Sequence, residues 1–324
     1  MIKLLSMFAY SFDTERYDND KKVISEFLLK NEFQGIELMA PLYMDENIIP
    51  KEMVKGVHLA NYPAWIDLWT GNHEKLLQSL RSEERIQSFY GGTDRNVMIK
   101  KYRDEIRAAE KIGAKYGVFH IGHVDLEDIF NYEFTYSDEE VVEKSIELLN
   151  EIFRDFQTDI MILLENLWWP GMTLRKKELV RKLIDGIEYK NVGIMLDTGH
   201  LMNTNFELRS EEEGVKFVID TIEDLGELKE YIKGIHFHCS LSGEYTKNML
   251  LESKELNYKD MDFNEMESLV YDRLMKIDWH KPFTEKCAKD IIDYVQPKYL
   301  VYEFVTDSLE KLQAYIDKQN ESIN

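Results

Sequence analysis

The sequence predicts an α/β fold, a single (β/α)8 barrel, on three observations. Eight short apolar or β-branched runs recur along the chain, amphipathic stretches with helical spacing lie between them, and metal-type side chains stand at the ends of the runs. The runs are Ile2–Tyr10, Gly35–Met39, Gly56–Leu59, Tyr116–Ile121, Ile160–Leu164, Val192–Leu196, Ile232–Phe237 and Tyr299–Phe304. Among the helical stretches, Val141, Val142, Ile146, Leu149 and Phe153 follow a Ser137 cap, and Ile106, Ala109 and Ile112 end at Gly113.

The connections from Ala60 to Asn96 and from Ser240 to Pro297 are unusually long. Both leave the C-terminal ends of strands, the active-site face of a barrel, so they read as walls or lids over a site or as peripheral decoration. Tyr62, Trp65, Trp69, Phe89 and Tyr90 crowd the first. With 324 residues, 44% hydrophobic and 31% charged, six prolines and no linker-like stretch, residues 1–324 are expected to form one domain.

The formal net charge is -21, and acidic runs such as Ser137–Glu140 and Ser210–Glu213 suit helix N-termini. Such a surface repels polyanions, so any nucleic-acid role has to rest on the positive charge of bound ions. Two cysteines, Cys239 and Cys287, are too few for a disulfide framework, the opening segment is too short for a signal sequence with its cleavage site, and nothing approaches a membrane span. A cytoplasmic location is expected.

Imidazole and carboxylate are the ligands of divalent Zn, Mn, Fe and Co, Zn foremost. Glu165 ends the apolar run Met161–Leu164, where a carboxylate is costly unless paired, metal-bound or at the barrel mouth. In Asp197-Thr198-Gly199-His200 a carboxylate at a strand end is followed by an imidazole three residues on, with Gly199 suited to a tight turn. Asp197 can also simply cap the segment that follows. Alternation puts His236 and His238 on one face of their strand. Either can be the ligand, with His236 favoured and His238 then contacting substrate, supporting the ligands or buried structurally.

With Glu303 on the last strand, Glu165, Asp197, His236 and Glu303 make a site for one ion. His58 and His120, on adjacent strands, add a second ion that shares Glu165 as a bridge; His123 can replace His120 or hydrogen-bond in its loop. His200, Asp278 and His280 complete a third. Trp168 and Trp169 follow Glu165 and either stack on a sugar or base or pack their loop, and Tyr62 is a candidate wedge against substrate. His73 fits no pattern.

Through Phe119–His123, Leu164-Glu165-Asn166, Asp197–His200, Lys233–His236 and Asp278-Trp279-His280, the chain resembles the xylose isomerase-like superfamily of TIM barrels, and within it endonuclease IV, the abasic-site endonuclease. The resemblance runs from about Gly35 to Phe304. It implies zinc-type ions, three when every set above is filled and two or three expected, with Glu165 bridging two of them and positioning the nucleophile, and a metal-dependent hydrolase cleaving a phosphoester or phosphodiester; Glu303 joins Glu165 as a catalytic residue in the isomerase alternative, as acid and base on one ion. Two departures stand out. The second strand exits as Glu37-Leu38-Met39-Ala40-Pro41-Leu42-Tyr43 without an arginine, and His238-Cys239-Ser240 stands where that family usually carries an amide and a carboxylate. Sugar isomerases and epimerases of the superfamily share only Glu165, Asp197, His236 and Glu303, with His200 as a substrate contact, and shuttle a proton between two glutamates. A small phosphorylated or sugar-type substrate, or abasic DNA, is the expected partner.

Overall fold

Eight parallel strands close into a barrel in chain order: β1 (Ile2–Phe8), β2 (Gly35–Met39), β3 (Val54–His58), β4 (Tyr116–Ile121), β5 (Met161–Asn166), β6 (Val192–Asp197), β7 (Ile232–His236) and β8 (Tyr299–Tyr302). The computed structural model describes residues 1–324, with the side chain of Lys259 outside the described residues. Each strand pairs in parallel with the next and β8 closes on β1, so the expected (β/α)8 barrel is the fold observed. The third strand begins at Val54, two residues before the predicted run, and the fifth continues through Glu165 and Asn166.

Inward positions fall two residues apart, and each strand spends the lower ones on apolar packing. Leu4, Tyr116, Val118, Leu163, Met195, Tyr299 and Val301 form one buried cluster, with the Tyr116 and Tyr299 rings 4.5 Å apart. Two residues above this filling come His120, Glu165, Asp197 and Glu303, which puts the ionisable groups in the mouth. A second, larger core joins the barrel's outer face to the helices.

Helices start and stop where the residues dictate. Ser137 caps Asp138–Phe153 through a reciprocal capping box with Glu140, and the Ser210 side chain accepts from Glu213 at the start of Glu211–Asp224. Gly113 ends Asn96–Ile112 in the left-handed region at φ 80°. The two long connections are helical rather than irregular. After β3 come Ile66–Thr70, His73–Leu80 and Glu83–Tyr90; after β7 come Gly243–Ser253 and Phe263–Ile277. No helix among the described residues is long and apolar enough to cross a membrane.

Candidate metal centre

Glu165 is the hub of the barrel mouth. Its Oε2 lies 3.1 Å from His58 Nε2 and 3.2 Å from His120 Nε2, and its Oε1 lies 2.9 Å from His236 Nδ1. The two oxygens thus face two different groups of ligands. His236 Nδ1 is also 3.0 Å from Glu303 Oε2 and 3.8 Å from Asp197 Oδ2. Beside this group, Asp278 Oδ2 lies 2.7 Å from His280 Nε2 and 3.3 Å from His200 Nε2. All nine expected residues therefore meet around one centre. Donor atoms of Glu165, Asp197, His236 and Glu303, and of His200, Asp278 and His280, fall within the span that one ion can bridge, as do those of His58, Glu165 and His236 and of His238, His280 and Glu303; the expected set of His58, His120 and Glu165 is not gathered as one such group.

At four of the five expected ligand histidines the far ring nitrogen is engaged elsewhere, which aims the near one; His120 Nδ1 is buried without a partner. His58 Nδ1 meets the Leu59 carbonyl at 3.1 Å, His200 Nδ1 the Asn166 carbonyl at 2.9 Å, and His280 Nδ1 the Glu303 carbonyl at 3.0 Å. A carbonyl only accepts, so in the neutral imidazole the proton sits on Nδ1 and the lone pair on Nε2 points into the centre. His236 is reversed: Nε2 donates to Glu37 Oε1 at 2.8 Å and Nδ1 faces the ligand carboxylates. Asn166 ties the ends of β5 and β6 by donating to the Asp197 carbonyl and accepting from the Asp197 amide.

The charge balance fits cations. Glu37, Glu165, Asp197, Asp278 and Glu303 face imidazoles, and among the described residues none of the five meets a Lys or Arg. Asp278 Oδ1 and Glu303 Oε2 are buried without a hydrogen-bond donor, which suits carboxylate oxygens kept for ions. Burial favours neutral imidazole, yet the Glu165 hydrogen bond and charge push His58 up to about 9. Burial is likewise outweighed at His200, raised to about 10 by Asp197 and Asp278, and at His280, raised to about 9 by Asp278. At His120 burial wins and its pKa falls to about 4. Glu165 is held well below the carboxylate range against its own burial by His120, His236 and His58. His120 is uncharged near neutrality, so at that pH His236 and His58 carry this effect. His280 adopts left-handed backbone at φ 44°, a strained conformation of the kind that gathers at functional sites.

Several readings of the sequence change here. His238 is fully buried, and its Nε2 sits 2.9 Å from Asp197 Oδ2, so it supports a ligand carboxylate instead of reaching a substrate. The cause is packing, since its ring is stacked under His280 at 4.2 Å. The Tyr62 ring packs edge-on against Tyr102 at 6.0 Å and lies outside the lining of the main cleft, in a small recess with Asn61 and His120. Asp197 caps after all, its Oδ1 accepting from the His200 amide at 2.6 Å while Oδ2 stays with the centre. Gly199 is not in the left-handed region; a Cβ there would lie 2.1 Å from His238 Cε1, so the glycine makes room for that ring. His123 accepts from the Trp65 amide and faces Asp125, hydrogen-bonding within its loop. Glu37, fully buried between His236 and the Tyr116 hydroxyl at 2.7 Å, has a place the sequence reading missed. Its signal was a carboxylate at an inward position of an apolar strand.

A cleft of about 610 Å³ opens above the centre, with His58, His120, His200, Asp278, His280 and Glu303 on its floor and Trp168 and Trp169 at one side. Trp168 packs against His200 at 4.9 Å.

Known proteins agree with this architecture. "Probable endonuclease 4" of Mesomycoplasma hyopneumoniae (strain J) is 29% identical over 140 residues, 43% of this chain and 45% of that protein. The protein of the same name from Petrotoga mobilis is 30% identical over 141 residues, 42% of this chain and 45% of the relative, so the match spans under half the length of either. The crystal structure of the probable 3-DHS dehydratase AsbF from Bacillus anthracis covers 99% of each chain at a TM-score of 0.50 and 15% identity, a likeness of fold alone. A profile described as xylose isomerase-like TIM barrel matches residues 88–285, and the chain belongs to that family.

Proposed function

We propose that this chain is a metal-dependent hydrolase of phosphoester bonds whose centre is of the endonuclease IV kind. The observation that carries the reading is the two-sided use of Glu165, one oxygen toward His58 and His120 and the other toward His236, with His200, Asp278 and His280 adjoining. A single-ion reading leaves His58, His120, Asp278 and His280 without a role in the mouth. Divalent ions of the Zn, Mn, Fe or Co class, two or three in number, would supply Lewis acidity to a phosphoryl oxygen and make water acidic enough to attack at neutral pH.

The protein's own groups do the rest. Glu165 orients three imidazoles at once, and the carbonyls of Leu59, Asn166 and Glu303 hold three rings with their Nε2 lone pairs inward. Glu303 lies at the cleft floor with Oε2 3.0 Å from His236 Nδ1 and no well-aligned hydrogen bond, placed to exchange a proton at that atom when His236 Nδ1 is turned to an ion. Trp168 against His200 and the helical walls restrict water around the reacting groups.

One observation favours a second reading, a sugar or sugar-phosphate isomerase or epimerase. Glu165 Oε1 and Glu303 Oε2 lie 2.9 and 3.0 Å from the same His236 Nδ1, so the two carboxylates would be placed to share one ion with His236, as proton shuttling requires. Parallel assays of metal-loaded protein on phosphomonoesters, phosphodiesters, an abasic oligonucleotide and a ketose panel separate the two. Phosphoester cleavage that is lost in His58→Ala and His280→Ala supports the hydrolase; ketose turnover retained in both variants overturns it.

A further inference from the structure

The walls above the candidate centre are apolar, and much of the molecule's exposed apolar surface gathers at their rim. Tyr10, Phe89, Tyr271, Met275 and Val305 are exposed and line the cleft, and Tyr43 extends the rim by packing on Tyr10 at 5.2 Å. The helix Phe263–Ile277 turns Val270, Tyr271, Leu274 and Met275 to this space, pairs four residues apart that share one helical face. Leu76 and Leu80 of the helix His73–Leu80 also line it. Both insertions thus present apolar faces over the ion ligands, at a volume that suits one small molecule.

The charges in this lining are already spoken for. Among the described residues that line the cleft Lys101 is the one Lys or Arg, and its Nζ is 3.1 Å from Glu105. Asp67 and Asp125 share Lys75 at 3.1 and 2.9 Å. An anion away from the centre meets no unpaired cation here, and the chain's net charge of -21 repels a polyanion over longer range.

We infer that the substrate is a small molecule with an uncharged apolar body, aryl or alkyl, and that its only charged part is the group that faces the ligand cluster. This rests on the phosphoester reading for the identity of that group. The body lies between the helix Phe263–Ile277 and the β3 insertion, against the aromatic end of β1. A duplex backbone, charged along its whole length, does not fit such walls.

Calorimetric titration of metal-loaded protein with phenylphosphonate, methylphosphonate and a duplex carrying an abasic-site analogue tests the inference. Phenylphosphonate is expected to bind about tenfold or more tightly than methylphosphonate, from the apolar area it buries. The double variant Tyr271→Ser/Met275→Ser, at two exposed positions outside the ligand set, is expected to shrink that ratio with little change in Tm. Equal affinity for the two phosphonates, or tighter binding of the duplex, overturns the inference. Failure of the phosphoester reading is separable: neither phosphonate then binds, while the neutral probe 1-naphthol still quenches Trp168 and Trp169 fluorescence in metal-free protein, less so in the double variant. Absence of that quenching overturns the apolar body itself. So does light scattering that shows a dimer dissociated by the double variant, because a second copy would then cover the rim.

Discussion

Glu37 sits beneath the candidate centre, its two oxygens accepting from His236 Nε2 at 2.8 Å and Tyr116 Oη at 2.7 Å. A carboxylate behind a ligand imidazole fixes its tautomer and raises its basicity, so Glu37→Gln is expected to weaken metal affinity by about 10- to 100-fold with the fold intact. Chelator competition monitored beside circular dichroism checks this; unchanged affinity would leave Glu37 a packing residue. The histidines set the pH behaviour of the metal-free protein. His58, His200 and His280 stand at about 9, 10 and 9 against the ordinary 6.5, so their stabilisation is complete below pH 6.5 and lost as pH rises through 9 to 10. His120 at about 4 works oppositely, costing stability as pH falls from 6.5 toward 4. Tm of chelator-treated protein is therefore expected to fall on both sides of about pH 6.5, and a Tm still climbing at pH 9 would contradict these assignments. His58, His120, Glu165, Asp197, His236 and Glu303 were legible because polar residues that end apolar runs are conspicuous, whereas His200, Asp278 and His280 were found only by spacing and by grouping them into one set. Glu37 was harder to see because it lies inside its strand, where only the inward alternation marks it, and His238 because no pattern in sequence says which of two histidines on one face will be roofed by a third.

Elements meet closely where the helix Thr198–Asn203 leaves β6 beside the His238 backbone. The Thr198 hydroxyl donates to the His238 carbonyl at 2.6 Å, and Gly199 leaves the space that the His238 ring fills. Gly199→Ala would bring a methyl to 2.1 Å from that ring. The expected cost is about 1–3 kcal/mol of overpacking, seen as a lower denaturation midpoint at unchanged m-value, with weaker metal retention because His238 also holds Asp197. A neutral substitution would show the seam to be soft. Strands were readable as short apolar or β-branched runs, helices from their period of 3.6, and the capping residues Ser137 and Ser210 from their acidic followers. The orientation of the insertions was not. A helix such as Phe263–Ile277 is amphipathic in any setting, and only tertiary packing decides that Tyr271 and Met275 face the cleft.

At the scale of the whole molecule, the closed barrel turns scattered positions into neighbours. His58 and Glu165, 107 residues apart, approach to 3.1 Å because parallel strands present all their C-terminal ends at one mouth. The same arrangement gathers five carboxylates and the imidazoles that face them into little space, within a chain of net charge -21. On the proposed metal-centre reading, bound ions would add the positive charge that offsets these carboxylates and holds an anionic group. Metal analysis of natively purified protein, in parallel with His58→Ala and His280→Ala, tests this most directly. Two to three ions per chain are expected, with each variant losing about one; a single ion per chain, untouched by either substitution, would overturn the multi-ion centre.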